Sequence, residues 1–232
     1  MNRIDNQQFS RLICGCEKPG RYTGGELNQI SKETVPVRGA ISYPDLYEVG
    51  MANNGIRILY DVANALPDVA CERVFAVPHE FERRLREMNL PLFTLATRTV
   101  LCDLDLIGFN LSHEMLYTNV LQILDLGGIP LLRKDRKDGD PVIVAGGEAV
   151  SNPAPAMDFF DAVFIGDGEE GFQDMLLCIR KGKEEGLSRN EVLKLMGSVE
   201  GVLFPHLYAY RYGDSRLEGV EGPPVKKRVY RG

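Results

Sequence analysis

The feature that most limits the fold is an alternation of two hydrophobic periods. Short, nearly continuous apolar runs stand at 105–111 (DLIGFNL), 141–145 (PVIVA) and 161–165 (DAVFI). Around them, apolar residues recur at three- and four-residue steps: Ile56, Leu59, Tyr60 and Ala63; Leu116, Val120, Ile123 and Leu124; Phe172, Met175, Leu176 and Ile179. A strand buried on both faces reads as an apolar run, and a helix buried on one face as a 3.6-residue stripe. Strands that alternate with helices pair in parallel, and right-handed crossovers then cover both faces of the sheet. Segments 37–43 and 71–75 supply two earlier strands, 92–95 a minor one, and Phe81, Leu85 and Met88 mark a helix with Pro78 near its start. The expected fold is α/β, a doubly wound parallel sheet of Rossmann-like type with small N- and C-terminal additions.

Composition changes along the chain suggest its organisation. Residues 1–34 are polar and Gly-rich, with GRYTGGE at 20–26, and read as an N-terminal arm with a turn. Residues 35–186 carry the α/β pattern. In 187–212, SRNEVLKLM reads as a short helix with Ser188 and Glu191 placed for a capping box, and GVLFP and LYAYRY read as strands. Residues 213–232, ending PPVKKRVYRG, have the composition of a linker.

Several function classes are disfavoured. Lys plus Arg total 27 against 33 Asp plus Glu, a net charge of -6, which argues against general nucleic-acid binding. No run of 18 apolar residues offers a membrane span, and MNRIDNQQFS lacks the apolar core of a secretory signal, so a cytoplasmic location is expected. The cysteines, at 14, 16, 71, 102 and 178, lack zinc-ribbon spacing and read as free thiols. His79, His113 and His206 share no metal-ligand spacing and form no triad with a nucleophile.

Ligands of open α/β sheets sit at the carboxyl ends of the strands. Four loops leave such ends, at 44–55, 110–117, 146–153 and 166–171, all rich in Gly, Asn, Ser or acidic residues. Gly50 and Gly55 have P-loop spacing, but Ile56-Arg57 stands where Lys-Ser/Thr is needed, and G-x-G-x-x-G is absent there. A flavodoxin-like nucleotide binder is therefore the weaker reading.

The same loops resemble those of cobalamin-binding domains. DLYEVGMANNGIRILYDVANA resembles the D-x-H-x-x-G segment and following helix, with Asp45 and Gly50 matching and Tyr47 where the His would stand. LIGFNLS matches the next loop through Asn110 and Ser112, and VIVAGGEAVSNP the glycine pair through Gly146 and Gly147, with Glu148 beside them. The longer ordered run KPGRYTGGE, YPDLYEVGMANNGIRILYD, PDVACERVF, DLIGFNLSHEMLYTNVLQILDLGGIPLL, IVAGGEAVSNPAP and FFDAVFIGDGEE is similar to the N-terminal part of a group of radical S-adenosylmethionine (SAM) proteins.

The resemblance implies a cobalamin held by Asp45, Tyr47, Gly50, Asn110, Ser112, Gly146, Gly147 and Glu148. Its lower axial site is expected to lack a protein nitrogen, because a neutral Tyr phenol, with a pKa of about 10, is a poor ligand. SAM and a four-iron four-sulfur cluster would belong to a downstream barrel domain, the implied partner. The C-x-x-x-C-x-x-C loop of that barrel is not in these residues, so no catalytic residue and no metal ligand is assigned here. The GDGEE run matches the G-E-G-E of such proteins and is expected to cap a helix N-terminus. The alternative is a degenerate domain that has lost the ligand and docks the catalytic domain or a partner.

Overall fold

The computed structural model of the chain describes residues 2–214 and 216–230. Strands β1 (Val37–Ser42), β2 (Val69–Arg73), β3 (Leu106–Asn110), β4 (Val142–Gly146), β5 (Ala162–Phe164) and β6 (Val202–Leu203) form one sheet in the order β2-β1-β3-β4-β5-β6. The first five are parallel and β6 runs antiparallel to β5. The first two strands and β5 are buried throughout, as the apolar runs require. The chain winds outward from β1 to β2, then returns across β1 to β3 and continues to β5, so the strand order reverses between β1 and β3.

Among the described residues there are seven α-helices: α1 (Asn6–Ile13), α2 (Tyr47–Ala52), α3 (Asn54–Ala65), α4 (His79–Glu87), α5 (Tyr117–Leu126), α6 (Gly168–Glu185) and α7 (Arg189–Met196). Helices α3 and α6 pack together over β1, and α4 packs beside α5. Right-handed crossovers put these two pairs on opposite faces. The stripes of the sequence are the faces buried: Ile56, Tyr60 and Ala63 on α3; Val120, Ile123 and Leu124 on α5; Phe172, Met175, Leu176 and Ile179 on α6.

Local chemistry fixes the helix ends. The Asn53 side-chain oxygen accepts the Ile56 N–H at 3.0 Å and starts α3. Gly186, at φ 65°, ends α6 in the left-handed conformation. In α7 the Glu191 carboxylate accepts from both the N–H and the hydroxyl of Ser188, at 2.8 and 2.6 Å, as the capping-box spacing predicts.

Some elements differ from the sequence reading. The second strand starts two residues earlier than expected and ends at Arg73. Leu92–Leu95 forms no strand; Phe93 makes only an isolated bridge to Val100. The first ligand-end loop contains α2, whose six residues are too few for a readable stripe. The N-terminal arm contains α1, which buries Phe9 and Leu12, and Lys32 within it caps the C-terminus of α3 by donating to the carbonyls of Asn64, Leu66 and Val69. The stretch expected as a linker is structured in part: β8 (Arg216–Glu221) pairs antiparallel with β7 (Ala209–Gly213). Beyond it Arg228 returns to the main body, forming a parallel bridge with Gly166.

No helix is long and apolar enough to cross a membrane, among the described residues.

Candidate functional site

The register of the parallel strands brings a set of small and apolar residues to one place. Ile41 pairs with Gly108, Gly108 with Val144, and Asn110 with Gly146, so these residues point to the face that α3 and α6 cover. Gly108 has no side chain because Phe172 of α6 and Ile41 occupy the space; a Cβ there would lie 2.9 Å from the Phe172 ring. Toward the carboxyl ends the helices diverge from the sheet and leave a cavity of about 180 Å³. Its walls are Ile41, Val144 and Phe164 from the sheet, Ile58 and Leu59 from α3, and Phe172 and Met175 from α6. Asn110, Gly146 and Gly147 line its strand-end side, with Gly55, Gly166, Gly168 and Glu169 around the starts of the two helices. It lies at the carboxyl ends of the strands beside the point where their order reverses, where open α/β sheets bind ligands.

Polar side chains at the cavity are few. The Asn110 amide nitrogen donates to the Asn53 side-chain oxygen at 3.3 Å, tying the end of β3 to the start of α3. A Cβ on Gly55 would sit 2.6 Å from that amide, so glycine lets the Asn110 side chain lie against the start of α3. Of the acids in the GDGEE run, Asp167 accepts from the backbone N–H of Tyr230 at 2.9 Å, and Glu170 pairs with Arg228 at 2.8 Å. Glu169 lines the cavity and has no hydrogen bond or ion pair among the described residues. As expected, the acids sit at the start of α6, Asp167 at the N-cap and Glu169 and Glu170 in the first turn, though the Asp167 side chain makes no capping hydrogen bond.

The eight residues that the sequence singled out divide between this cavity and its surroundings. Asn110, Gly146 and Gly147 line it. Asp45 turns the chain from β1 into α2, its carboxylate accepting the Leu46 N–H at 2.7 Å. Gly50 lets α2 lie on Phe75, since a Cβ there would be 2.3 Å from the ring. Ser112 hydrogen-bonds the Tyr43 hydroxyl at 2.7 Å. Glu148 opens a short 3-10 turn at 148–151. Tyr47 begins α2, donates its hydroxyl to Glu26 at 3.2 Å and packs edge-on against Phe75. Burial, and then the Glu26 carboxylate, push its phenol above the usual range.

GRYTGGE acts as a strap over α2 and the neighbouring core. Arg21 pairs with Glu48 at 2.9 Å, and Tyr22 stacks on Phe81 with ring centroids 3.6 Å apart. Gly24 and Gly25, at φ 65° and 87°, make the turn. Burial pushes the Tyr22 phenol up to about 12, against the lowering effect of Arg21.

The two glycines of the pair meet different demands. Gly147 adopts φ 103° and ψ −176°, a region essentially reserved for glycine. A Cβ there would meet the Leu111 carbonyl oxygen at 2.4 Å and the Asn110 side-chain oxygen at 2.7 Å. Its missing side chain therefore serves the β4 turn. Gly146 has the opposite surroundings: its nearest neighbour to an added Cβ is the Phe164 carbonyl oxygen, at 3.8 Å.

Residues missed in the sequence are mostly the cavity walls. Phe164, Phe172 and Met175 read only as core, and Gly166 and Gly168 only as a turn. No group of three or more His, Cys, Asp or Glu among the described residues is arranged to hold a metal ion, and the exposed His113 makes no cap.

The fold and cavity define a doubly wound α/β domain with a small, mainly apolar site at the strand-order reversal. The chain belongs to the family described as the N-terminal region of radical SAM proteins, whose family model matches residues 55–205, more than half of its length. Searches of curated proteins and of solved structures gave no match.

Proposed function

We propose that this chain is the corrinoid-holding N-terminal module of a radical SAM protein, without a histidine on the lower face of the cobalt. The observation that carries this reading is the cavity between the sheet and the α3–α6 pair, open past Gly146 at the strand ends. An enclosed apolar cavity of about 150 Å³ holds a benzene ring, so about 180 Å³ suits the flat base of a corrinoid's nucleotide tail. It is too small for a whole drug-sized ligand, which takes about 300 Å³ or more. Apolar walls, a glycine at the mouth and one fixed amide fit that tail. Tyr47 does not fit the role of an axial nitrogen ligand, engaged as it is with Glu26 and Phe75.

A bound corrinoid would supply a cobalt centre able to carry a methyl group, for use by a downstream radical SAM barrel that holds SAM and a four-iron four-sulfur cluster. The residues of this chain contribute binding and orientation: Phe172, Met175 and Val144 exclude water from the ring, and Asn110 sets its edge. The second reading, a domain that docks the catalytic partner without a ligand, is favoured by Tyr47 in place of histidine. Mixing the purified chain with hydroxocobalamin, followed by desalting, separates the two. The corrinoid reading requires a coloured complex near one corrinoid per chain, lost in Gly146→Leu with unchanged thermal unfolding. A colourless wild-type chain supports the docking reading.

A further inference from the structure

We infer that Cys14 and Cys16 form a reversible dithiol–disulfide site, closed by small disulfides such as glutathione disulfide and opened again by excess thiol. The pair stands where α1 ends and the chain runs on into the GRYTGGE strap, outside the cavity lining and independent of the corrinoid reading. Both are thiols in this structure, Cys14 exposed and Cys16 half-buried. In an extended chain, residues two apart are separated by about 6.6–7.2 Å, at the limit of the roughly 4.4–6.8 Å between Cα atoms that a disulfide spans. Here the chain turns instead. The Cys16 N–H donates to Ile13 O at 3.1 Å, Cys14 has φ −63° and ψ 116°, and Gly15 has φ 80°. This is a type II turn with glycine in its third place, which draws the two cysteines within that range. A Cβ on Gly15 would meet only an Arg84 nitrogen, at 3.8 Å, so the glycine serves the backbone conformation and not a close contact.

Arg84 of α4 holds the turn in place. Its guanidinium donates to Leu12 O at 2.8 Å, to Arg11 O at 3.1 Å and to Cys14 O, closing the C-terminus of α1. Burial pushes the Cys16 thiol up against the lowering effect of Arg84, and the thiol donates to Leu12 O at 3.3 Å. Burial also raises the thiols of Cys71, Cys102 and Cys178. Cys14, in solvent, is therefore the thiol that attacks first. Its thiolate, the proton lost to buffer, attacks one sulfur of glutathione disulfide; that S–S bond breaks and a glutathione thiolate leaves. Cys16 then turns from Leu12 O, loses its proton and attacks Cys14 Sγ, forming the Cys14–Cys16 bond and expelling the second glutathione. Two protein thiols are oxidised, and one glutathione disulfide is reduced to two glutathiones that take up the two protons. A ring closed across a single residue is strained, and strained disulfides are the labile ones, so excess thiol reopens it.

The test incubates the pre-reduced, purified chain with excess glutathione disulfide, quenches in acid, alkylates the remaining thiols and maps the peptides by mass spectrometry. Two of the five cysteines should escape alkylation, and the peptide carrying Cys14 and Cys16 should lose two hydrogens and retain no glutathione. Cys16→Ser should trap one glutathione on Cys14, because the resolving thiol is gone. Cys14→Ser should lose its thiols at least about tenfold more slowly than the wild type, since only buried or half-buried ones remain. Excess reduced glutathione should return the oxidised wild type to five alkylatable thiols. A glutathione that persists on Cys14 of the wild type, a Cys14 disulfide between two chains, oxidation of Cys102 or Cys178 as fast as that of Cys14, or a product that resists reduction would each overturn the proposal. The wild-type peptide map carries the decision alone if either variant fails to fold.

Discussion

The glycine pair that ends β4 makes opposite demands at its two positions, which turns one dipeptide into an internal control. At Gly147 the backbone sits at φ 103°, where a residue with a Cβ costs on the order of 1–3 kcal/mol from conformation alone. The Cβ would also lie 2.4 Å from the Leu111 carbonyl oxygen. That carbonyl cannot move freely, because it accepts the Ala149 N–H at 3.0 Å while the Leu111 N–H donates to Gly146 O at 2.8 Å. Losing one such bond adds about 1 kcal/mol, so Gly147→Ala should cost about 2–4 kcal/mol. For a domain of this size, each kcal/mol is worth about 2–4 °C, which puts the fall in Tm at roughly 4–16 °C. Gly146→Ala meets nothing nearer than 3.8 Å and should unfold within about 2 °C of the wild type. Calorimetry on the three proteins decides it. A Gly147→Ala variant as stable as Gly146→Ala would refute the assignment of Gly147 to the turn.

Other perturbations follow from buried chemistry. Asp161 accepts from Arg136 at 3.1 Å, Arg189 at 2.6 Å and the Ile143 N–H at 2.7 Å. Asp161→Ala strands two buried cations, so urea unfolding should show a loss of about 3–5 kcal/mol. Tyr47→Phe gives up one hydrogen bond and should cost about 0.5–1.5 kcal/mol in the same assay, and it should leave the visible spectrum of a corrinoid complex unchanged. The Tyr22 phenol, raised to about 12 in the fold from about 10 when unfolded, keeps its proton longer in the native state. Its contribution to stability is thus complete below pH 10 and lost as pH rises toward 12, and Tyr22→Phe should flatten that part of the stability curve. Burial holds the Cys71 thiol well above its usual range while Cys14 is exposed, so a thiol reagent on the native protein should label Cys14 and spare Cys71.

How much of this was legible in the sequence depends on whether a residue's role is periodic or positional. The sheet was readable because its strands must be apolar on both faces and its helices on one, and both patterns survive in DLIGFNL, PVIVA and the stripe from Phe172 to Ile179. Helix α2 was not readable, because six residues give no period, and its packing depends on Gly50 meeting Phe75, a contact across 25 positions that no local pattern encodes. Strand β8 was hidden by composition: Arg216, Glu218 and Glu221 read as linker, yet a two-stranded ribbon exposed on most of its surface needs no apolar face. Arg228 looked like one more charge in KKRVYRG, and only the fold brings it to Glu170 and Asp174.

The site was legible as a place and not as a set of residues, for a physical reason. Motif comparison weights residues with unusual chemistry or forced backbone, and that is why Asp45, Gly50 and Gly147 stood out; the structure uses all three to build turns and helix contacts. The walls of an apolar cavity are chemically identical to core, so Phe164, Phe172 and Met175 carry no mark that they border empty space. What distinguishes them is a subtraction: Gly146 leaves space at the cavity, while Gly108 and Gly168 let Phe172 and Leu59 close in around the same volume. A glycine at each of three strand or helix positions, brought together by parallel register, is the signal that can be sought in other chains of this family. It predicts the position of the cavity from the sheet topology, and leaves its chemistry to the few polar side chains on its lining, here Asn110, tied to Asn53, and Glu169.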